Sequence, residues 1–199
     1  KKLLPVKPGE KGIRQSDAVF HHTQQLPDLL ESALSQAAEA MRLSRRELAA
    51  QVNGIGVSSR PRRVEGSYMP CFTVGLTQAR DLGAVLDVPV TEFSHQEGHI
   101  AAALYSAGRL DLVGTEFCAF HVSGGTTESL FVVPGTESPV EAQLEGTSTD
   151  LKAGQAIDRT GVMLGLPFPA GPALEQLALQ STKTYKVRPS AKGLDVSLS

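Results

Sequence analysis

From Pro27 onward apolar residues return at helical spacing: Leu29, Leu30, Ala33, Leu34, Ala37, Ala38 and Met41 share one stripe, and proline suits a first helical turn. Ahead of it, residues 1–25 are polar and broken by Pro5, Pro8, Gly9 and Gly12, which predicts irregular chain. Only Leu3, Leu4 and Val6 there suggest the tail of a strand. A second short helix is predicted at Ser44, where Ser44-Arg45-Arg46-Glu47 has the form of a capping box. Gly54 to Ser58 then predicts a short buried strand and Arg60-Pro61-Arg62-Arg63 a loop. Phe72, Leu76, Ala79, Leu82 and Leu86 mark a helix from about Cys71 to Leu86. A strand at Val88–Phe93 and a small-residue helix from near Gln96 to Ala107 follow. Strand, helix, strand, helix at these lengths predicts right-handed crossovers onto a parallel sheet.

After Gly114 the rhythm changes. Phe117–Val122 and Ser129–Val133 predict two strands joined by the turn Ser123-Gly124-Gly125-Thr126-Thr127, and Val140–Leu144 a third. Ala153, Ala156, Ile157, Thr160 and Leu164 trace a helix that Gly165 can close. A shorter helix at Pro172–Leu179 and a closing strand near Tyr185–Val187 complete the pattern. The best domain boundary falls near residue 113, with crossovers before it and a meander after it.

Nineteen Lys and Arg stand against 21 Asp and Glu in 199 residues, and 41% of the chain is hydrophobic. Such a composition belongs to a globular protein with room for a core, and excludes a surface that is basic throughout. Cys71 and Cys118 have no metal-type spacing, so a pair of buried thiols in a reducing compartment is expected. The longest uncharged run, Thr160 to Leu174, contains Pro167, Pro169 and Pro172, which excludes a membrane helix there. The chain opens on Lys1 rather than Met, and Leu194 to Ser199 stops inside an alternating pattern, so a piece of a longer protein is expected.

His95-Gln96-Glu97-Gly98-His99 is the sharpest candidate site. Two histidines four apart at a helix start project the same way, so both imidazoles can reach one ion. Glu97 stands one place too late for the zincin base, which disfavours a metallopeptidase of that type. A capped helix start with two half-buried histidines accounts for the same spacing, and no third ligand is evident nearby. In Ser123-Gly124-Gly125-Thr126-Thr127 small residues can bare backbone N–H groups as an anion nest, or serve the hairpin alone. Asp158 could accept from ribose hydroxyls and Gly171 could let backbone approach a ligand; a solvated Asp and an ordinary loop are the plainer readings. Arg60, Arg62 and Arg63 are expected on solvated surface, with a phosphate or RNA contact as the alternative. The adjacent His21 and His22 diverge, and no serine has the hydrolase context.

In order, four blocks resemble the glycoprotease family, the TsaD-type tRNA threonylcarbamoyladenosine synthases earlier described as O-sialoglycoprotein endopeptidases. They are Gly83–Val90, His95–Ile100, Val122–Thr127 and Gly154–Asp158 continuing through Leu164–Pro172. The resemblance implies an α/β fold of the actin-like ATPase, sugar-kinase-like (ribonuclease H-like) type in two domains, incomplete at both ends. Residues 1–113 would be the first domain without its opening strands, and 114–199 the start of the second. It further implies that His95 and His99 are catalytic and ligate one divalent metal, iron or zinc, with an aspartate beyond Ser199. Val122, Ser123, Gly124, Gly125 and Thr126 would wrap the phosphate and carbamoyl end of an adenylate, and Asp158 and Gly171 would hold the nucleoside. The implied reaction moves a threonylcarbamoyl group from its adenylate to N6 of a tRNA adenosine in the cytoplasm, with no membrane partner.

The chain departs from the family pattern where Thr126 replaces a histidine, where Gln155 and Ala156 replace Glu and Phe, and where Ser59–Arg63 replaces a Gly-Pro-Gly loop. Those departures open a second reading. In it the chain is a non-catalytic adenine-nucleotide (adenylate or ATP) binder that pairs with a second actin-like protein or with its own copy. A metallo-glycoprotease is the third reading.

Overall fold

Helix α1 (Gln15–Met41) begins well before Pro27, so the irregular chain expected up to residue 25 is corrected over its second half. Its apolar spacing simply continues upstream: Ala18 is buried, and Val19, His22 and Leu26 face the groove against α3 (Phe72–Leu86). Pro27 lies on the exposed side, where a missing N–H disturbs packing least. The computed structural model describes residues 4, 13–188 and 190–199; the strand tail expected at Leu3 and Val6 lies outside them, and Leu4 is in no strand.

The chain divides into two units, 1–103 and 104–199. In the first, α1 ends on Arg42 in the left-handed region, and α2 (Arg45–Ala50) starts on the predicted capping box, with Ser44 Oγ accepting from Glu47 N–H. Arg45 reaches back to Glu31 at 2.8 Å and ties the two helices. Strand β1 (Ile55–Arg60) and strand β2 (Val90–Ser94) pair in parallel, joined through α3, as the crossover pattern predicts. Helix α3 sits so close to β2 that a Cβ on Gly83 would come within 2.4 Å of Val90 Cγ2. Helix α4 (His95–Ser106) follows β2 without a linking residue. Both parallel strands therefore deliver their carboxyl ends to one edge, the region where open α/β sheets bind ligands.

In the second unit a 3₁₀ turn (Leu110–Leu112) leads into an antiparallel meander of β3 (Phe117–Val122), β4 (Thr127–Val133) and β5 (Glu141–Thr147). Leu130 and Val132 on β4 are its buried centre. The strand expected at Val140–Leu144 begins one residue later and runs three further. Helices α5 (Ala153–Met163) and α6 (Gly171–Leu179) pack together where a Cβ on Gly161 would overlap Ala170 Cβ, and Gly165 closes α5 with φ 78°.

The closing strand expected near Tyr185–Val187 does not form; that stretch is exposed, and among the described residues it has no sheet partner for its apolar side chains. Instead β6 (Ser190–Lys192) and β7 (Asp195–Ser197) form a hairpin around Gly193, at φ 63°. Asp150 gathers its end, accepting from the N–H groups of Leu198 and Ser199 and the hydroxyls of Ser197 and Ser199. Both cysteines are free, and Cys118 is exposed rather than buried because it lies on the outward face of β3, alternating with Phe120 and Val122.

Candidate functional site

The start of α4 carries two sets of side chains in opposite directions. His95 and His99 are exposed, while Gln96, Glu97 and Ile100 are buried. The two imidazoles converge, with Nε2 to Nε2 at 3.0 Å and ring centroids 4.4 Å apart. Phe72 meets His95 edge-on at 5.7 Å. Two nitrogens on one tetrahedral ion at about 2.0–2.1 Å each stand roughly 3.3 Å apart, so this pair has the bite of a chelate. The half-buried histidines of the alternative reading are not what the fold makes. Among the described residues, no group of three or more His, Cys, Asp or Glu could hold a metal; the pair supplies two ligands of a set that needs more.

The rest of the turn is fastened from below. Ser94 Oγ accepts from Glu97 N–H at 3.2 Å, and Glu97 Oε2 accepts from Ser94 N–H at 2.6 Å, a capping box that overlaps the histidine motif. Gln96 N–H donates to the Pro61 carbonyl at 3.1 Å. Glu97 is 1% exposed and accepts from both Arg63 Nε at 2.7 Å and Arg63 Nη2 at 3.1 Å. Burial pushes its carboxyl up, but the Arg63 guanidinium and the Ser94 donors outweigh that and hold it below its ordinary value. Arg63 is thus not the solvated surface group expected of it. Its side chain is 13% exposed, and it also donates to the Glu92 carbonyl at 3.2 Å. The sequence offered one signal for this, since Ser94-His95-Gln96-Glu97 is itself a capping-box pattern; nothing in it pointed to Arg63, 34 positions away in the chain.

In the second unit the turn after β3 closes with Ser123 N–H donating to the Thr126 carbonyl at 2.7 Å. The amides of Gly125 and Thr126 both turn toward Ser123 Oγ, at 3.3 and 3.0 Å. Two N–H groups aimed at one oxygen have the convergence of a nest, here filled by the chain's own hydroxyl. Val122, Ser123, Gly124 and Gly125 are exposed and Thr126 is half-buried. The turn rests on the start of α5: Gly154 N–H donates to the Ser123 carbonyl at 3.2 Å and Ala153 N–H to Thr127 Oγ1 at 2.8 Å. A Cβ on Gly154 would stand 2.7 Å from Gly124 Cα, so the contact requires glycine. Gln155 Oε1 accepts from Lys152 N–H at 3.2 Å, capping the same helix.

Asp158, half-buried on α5, is not simply solvated. Its Oδ1 accepts from Ala170 N–H at 2.8 Å and so fastens the residue before α6. Gly171 is the first residue of α6, and the nearest atom to a Cβ there would be Ile157 Cγ2 at 3.8 Å, so packing alone does not demand glycine. Asp158, Arg159, Val162, Met163 and Phe168 line a largely apolar groove of about 370 Å³. The histidine pair lies in one unit, and the Ser123–Thr126 turn, Asp158 and Gly171 in the other.

By architecture this is a mixed α/β protein. Residues 5–199 match the family described as "TsaD: tRNA N6-adenosine threonylcarbamoyltransferase", and the chain belongs to that family. Among curated proteins it is 30% identical over 194 residues to a tRNA N6-adenosine threonylcarbamoyltransferase of Methanopyrus kandleri, covering 98% of this chain and 51% of that protein. A relative of the same name from Streptococcus equi subsp. zooepidemicus is 32% identical over 174 residues, covering 87% and 45%. A "probable bifunctional tRNA threonylcarbamoyladenosine biosynthesis protein" of Thermoplasma acidophilum is 30% identical over 193 residues, covering 97% and 32%. The chain therefore spans from a third to about half the length of these relatives.

Proposed function

We propose that this chain is the metal- and nucleotide-holding part of an enzyme that transfers a threonylcarbamoyl group from its adenylate to N6 of a tRNA adenosine. Family membership supports the reaction class. The observation that carries the site reading is the convergence of His95 and His99 at 3.0 Å on the carboxyl-end edge of the parallel strands. We read the two units as the first domain of an actin-like fold without its opening strands and the start of the second.

A divalent ion, iron or zinc, held by His95 and His99 with a carboxylate from elsewhere would supply Lewis acidity for the carbamoyl oxygen. The amides of Gly125 and Thr126, released when the Ser123 hydroxyl turns aside, offer two donors to the adenylate phosphate. In the transfer, the bond from carbamoyl carbon to N6 forms as the bond to the phosphate oxygen breaks; AMP leaves with the charge those donors favour, and the proton displaced from N6 passes to solvent. Asp158 has a second carboxylate oxygen for a ribose hydroxyl, and Gly171 leaves backbone open to the nucleoside. No helix among the described residues is long and apolar enough to cross a membrane, and tRNA in the cytoplasm is the proposed substrate.

The test compares threonylcarbamoyl transfer to tRNA and metal content for wild type and His99→Ala. About one ion and transfer, both lost in the variant, support the reading; unchanged transfer overturns it. Two features favour a second reading, a nucleotide-binding partner without turnover that pairs with another actin-like chain or its own copy. Thr126 puts no imidazole in the turn, and Gln155 is used in capping α5. Binding of adenylate or ATP without transfer would select it. Glu97, buried against Arg63, is not placed to activate water, so the glycoprotease reading is not retained.

A further inference from the structure

A helix start leaves backbone N–H groups without partners, and on α4 those groups are taken in a way that reaches outside the helix. Gln96 N–H goes to the Pro61 carbonyl and Glu97 N–H to Ser94 Oγ. The Glu97 carboxylate returns to Ser94 N–H and is gripped from the loop after β1 by both prongs of Arg63. The same guanidinium donates to the carbonyl of Glu92, inside β2. Arg63 therefore spans the junction where β2 becomes α4, holding the strand by a carbonyl and the helix by its third residue.

His95 lies between the two members of the capping box, and His99 stands one turn further on. Both rings are exposed and meet each other, and His95 meets the Phe72 edge; the backbone of this helix start carries them both. A rotation or fraying of this first turn would move His95 relative to His99, which sits on the second turn, and open the 3.0 Å approach of their nitrogens. A bidentate Arg–carboxylate contact fixes orientation as well as separation.

We infer that Arg63 is a positioning residue for the His95–His99 pair, setting its chelating geometry through Glu97 rather than by touching an ion or substrate. The inference rests on the metal-binding reading proposed above. Removing groups that orient metal ligands typically weakens metal affinity by about 10- to 100-fold, and that is the size of effect expected.

Arg63→Met alone strands a buried carboxylate and can unfold the unit, so the informative variant is Arg63→Met with Glu97→Gln, which discards the charge pair and keeps a capping-box glutamine. Arg63→Lys keeps the charge but not the fork. Each is compared with wild type and His99→Ala as the 199-residue chain. The readouts are cobalt(II) titration followed by its visible absorption, metal-free imidazole ¹H–¹⁵N spectra, and helical circular dichroism.

The expected result for the double variant is wild-type helicity, cobalt binding weaker by roughly 10-fold or more, and imidazole signals averaged relative to wild type, with Arg63→Lys in between. Cobalt binding and imidazole spectra equal to wild type in the double variant would overturn the inference, while loss in His99→Ala would leave the metal reading standing. If the wild-type chain, which supplies two of the proposed ligands, takes up no cobalt, the imidazole spectra decide the positioning role alone. Unchanged spectra in the double variant would then overturn it.

Discussion

In the first unit, two exposed imidazoles ride on a helix start fastened by the buried ion pair of Arg63 and Glu97. In the second, the Ser123–Thr126 turn contains no charged residue and is held by one serine hydroxyl, two amides of α5 and a glycine-to-glycine approach. One region depends on charge brought out of water, the other on the absence of a methyl group. The first should fail when either partner is deleted and recover when both are. The second should be indifferent to charge and sensitive to volume.

The largest expected effect comes from breaking the pair on one side. Arg63→Met leaves Glu97 buried without its cation and should cost about 3–5 kcal/mol, read as a lower urea midpoint for the first unit. Adding Glu97→Gln should restore most of that loss, and a double variant as unstable as the single would break the contrast. Next comes Gly154→Ala, whose Cβ meets Gly124 backbone. Overpacking of this kind costs roughly 1–3 kcal/mol and should move the amide resonances of Gly125 and Thr126. Gly171→Ala is the control, expected to stay within about 0.5 kcal/mol because its Cβ would make only an ordinary contact with Ile157; a loss of nucleotide affinity there without a stability change would mark a ligand contact.

Asp158→Ala removes the acceptor for Ala170 N–H and should cost about 0.5–2 kcal/mol, with Asp158→Asn milder since an oxygen remains. The smallest effect is one of acidity. Hydrogen bonds from Ser197, Ser199 and Leu198 hold the Asp150 carboxyl well below the ordinary carboxylate range. Its folded-state value is depressed, so the stabilisation is present above the ordinary carboxylate value and is lost as pH falls through the depressed one. Hydrogen exchange at Leu198 N–H should therefore stay slow until strongly acid pH, while the Ser123–Thr126 turn shows no matching transition.

Much of the fold was legible because its signals are local. The capping box at Ser44, the periodic apolar residues of α3 and the small-residue turn after Val122 each announce themselves within a few positions. So does the left-handed Gly165. Pro27 misled because proline marks helix starts more often than it rides inside an exposed stretch, and the α3 surface that extends α1 lies far along the chain. Tyr185–Val187 has strand-forming residues but no partner strand among the described residues, and β propensity is realised only against a neighbour. Of the candidate site, the spacing of His95 and His99 told which way they face. That Glu97 is misplaced for a zincin base followed from its offset, but its buried partner did not, since an ion pair between a loop and a helix far apart in the chain leaves no periodic trace. Asp158 read in the chain as a candidate ligand contact, and in the fold it fastens the residue before α6; Gly154, quoted only within a motif, fastens α5 to the glycine turn.

The outward-facing strand β3 carries a practical corollary. Cys118 is exposed while Cys71 is half-buried, so the two thiols should differ in alkylation rate, with Cys118 taking a maleimide dye first. Because Cys118, Phe120 and Val122 alternate on the same side of β3, a fluorophore attached there sits on the strand that feeds the glycine turn. The unaltered chain thus comes with its own attachment point for an optical reporter of whatever that turn binds.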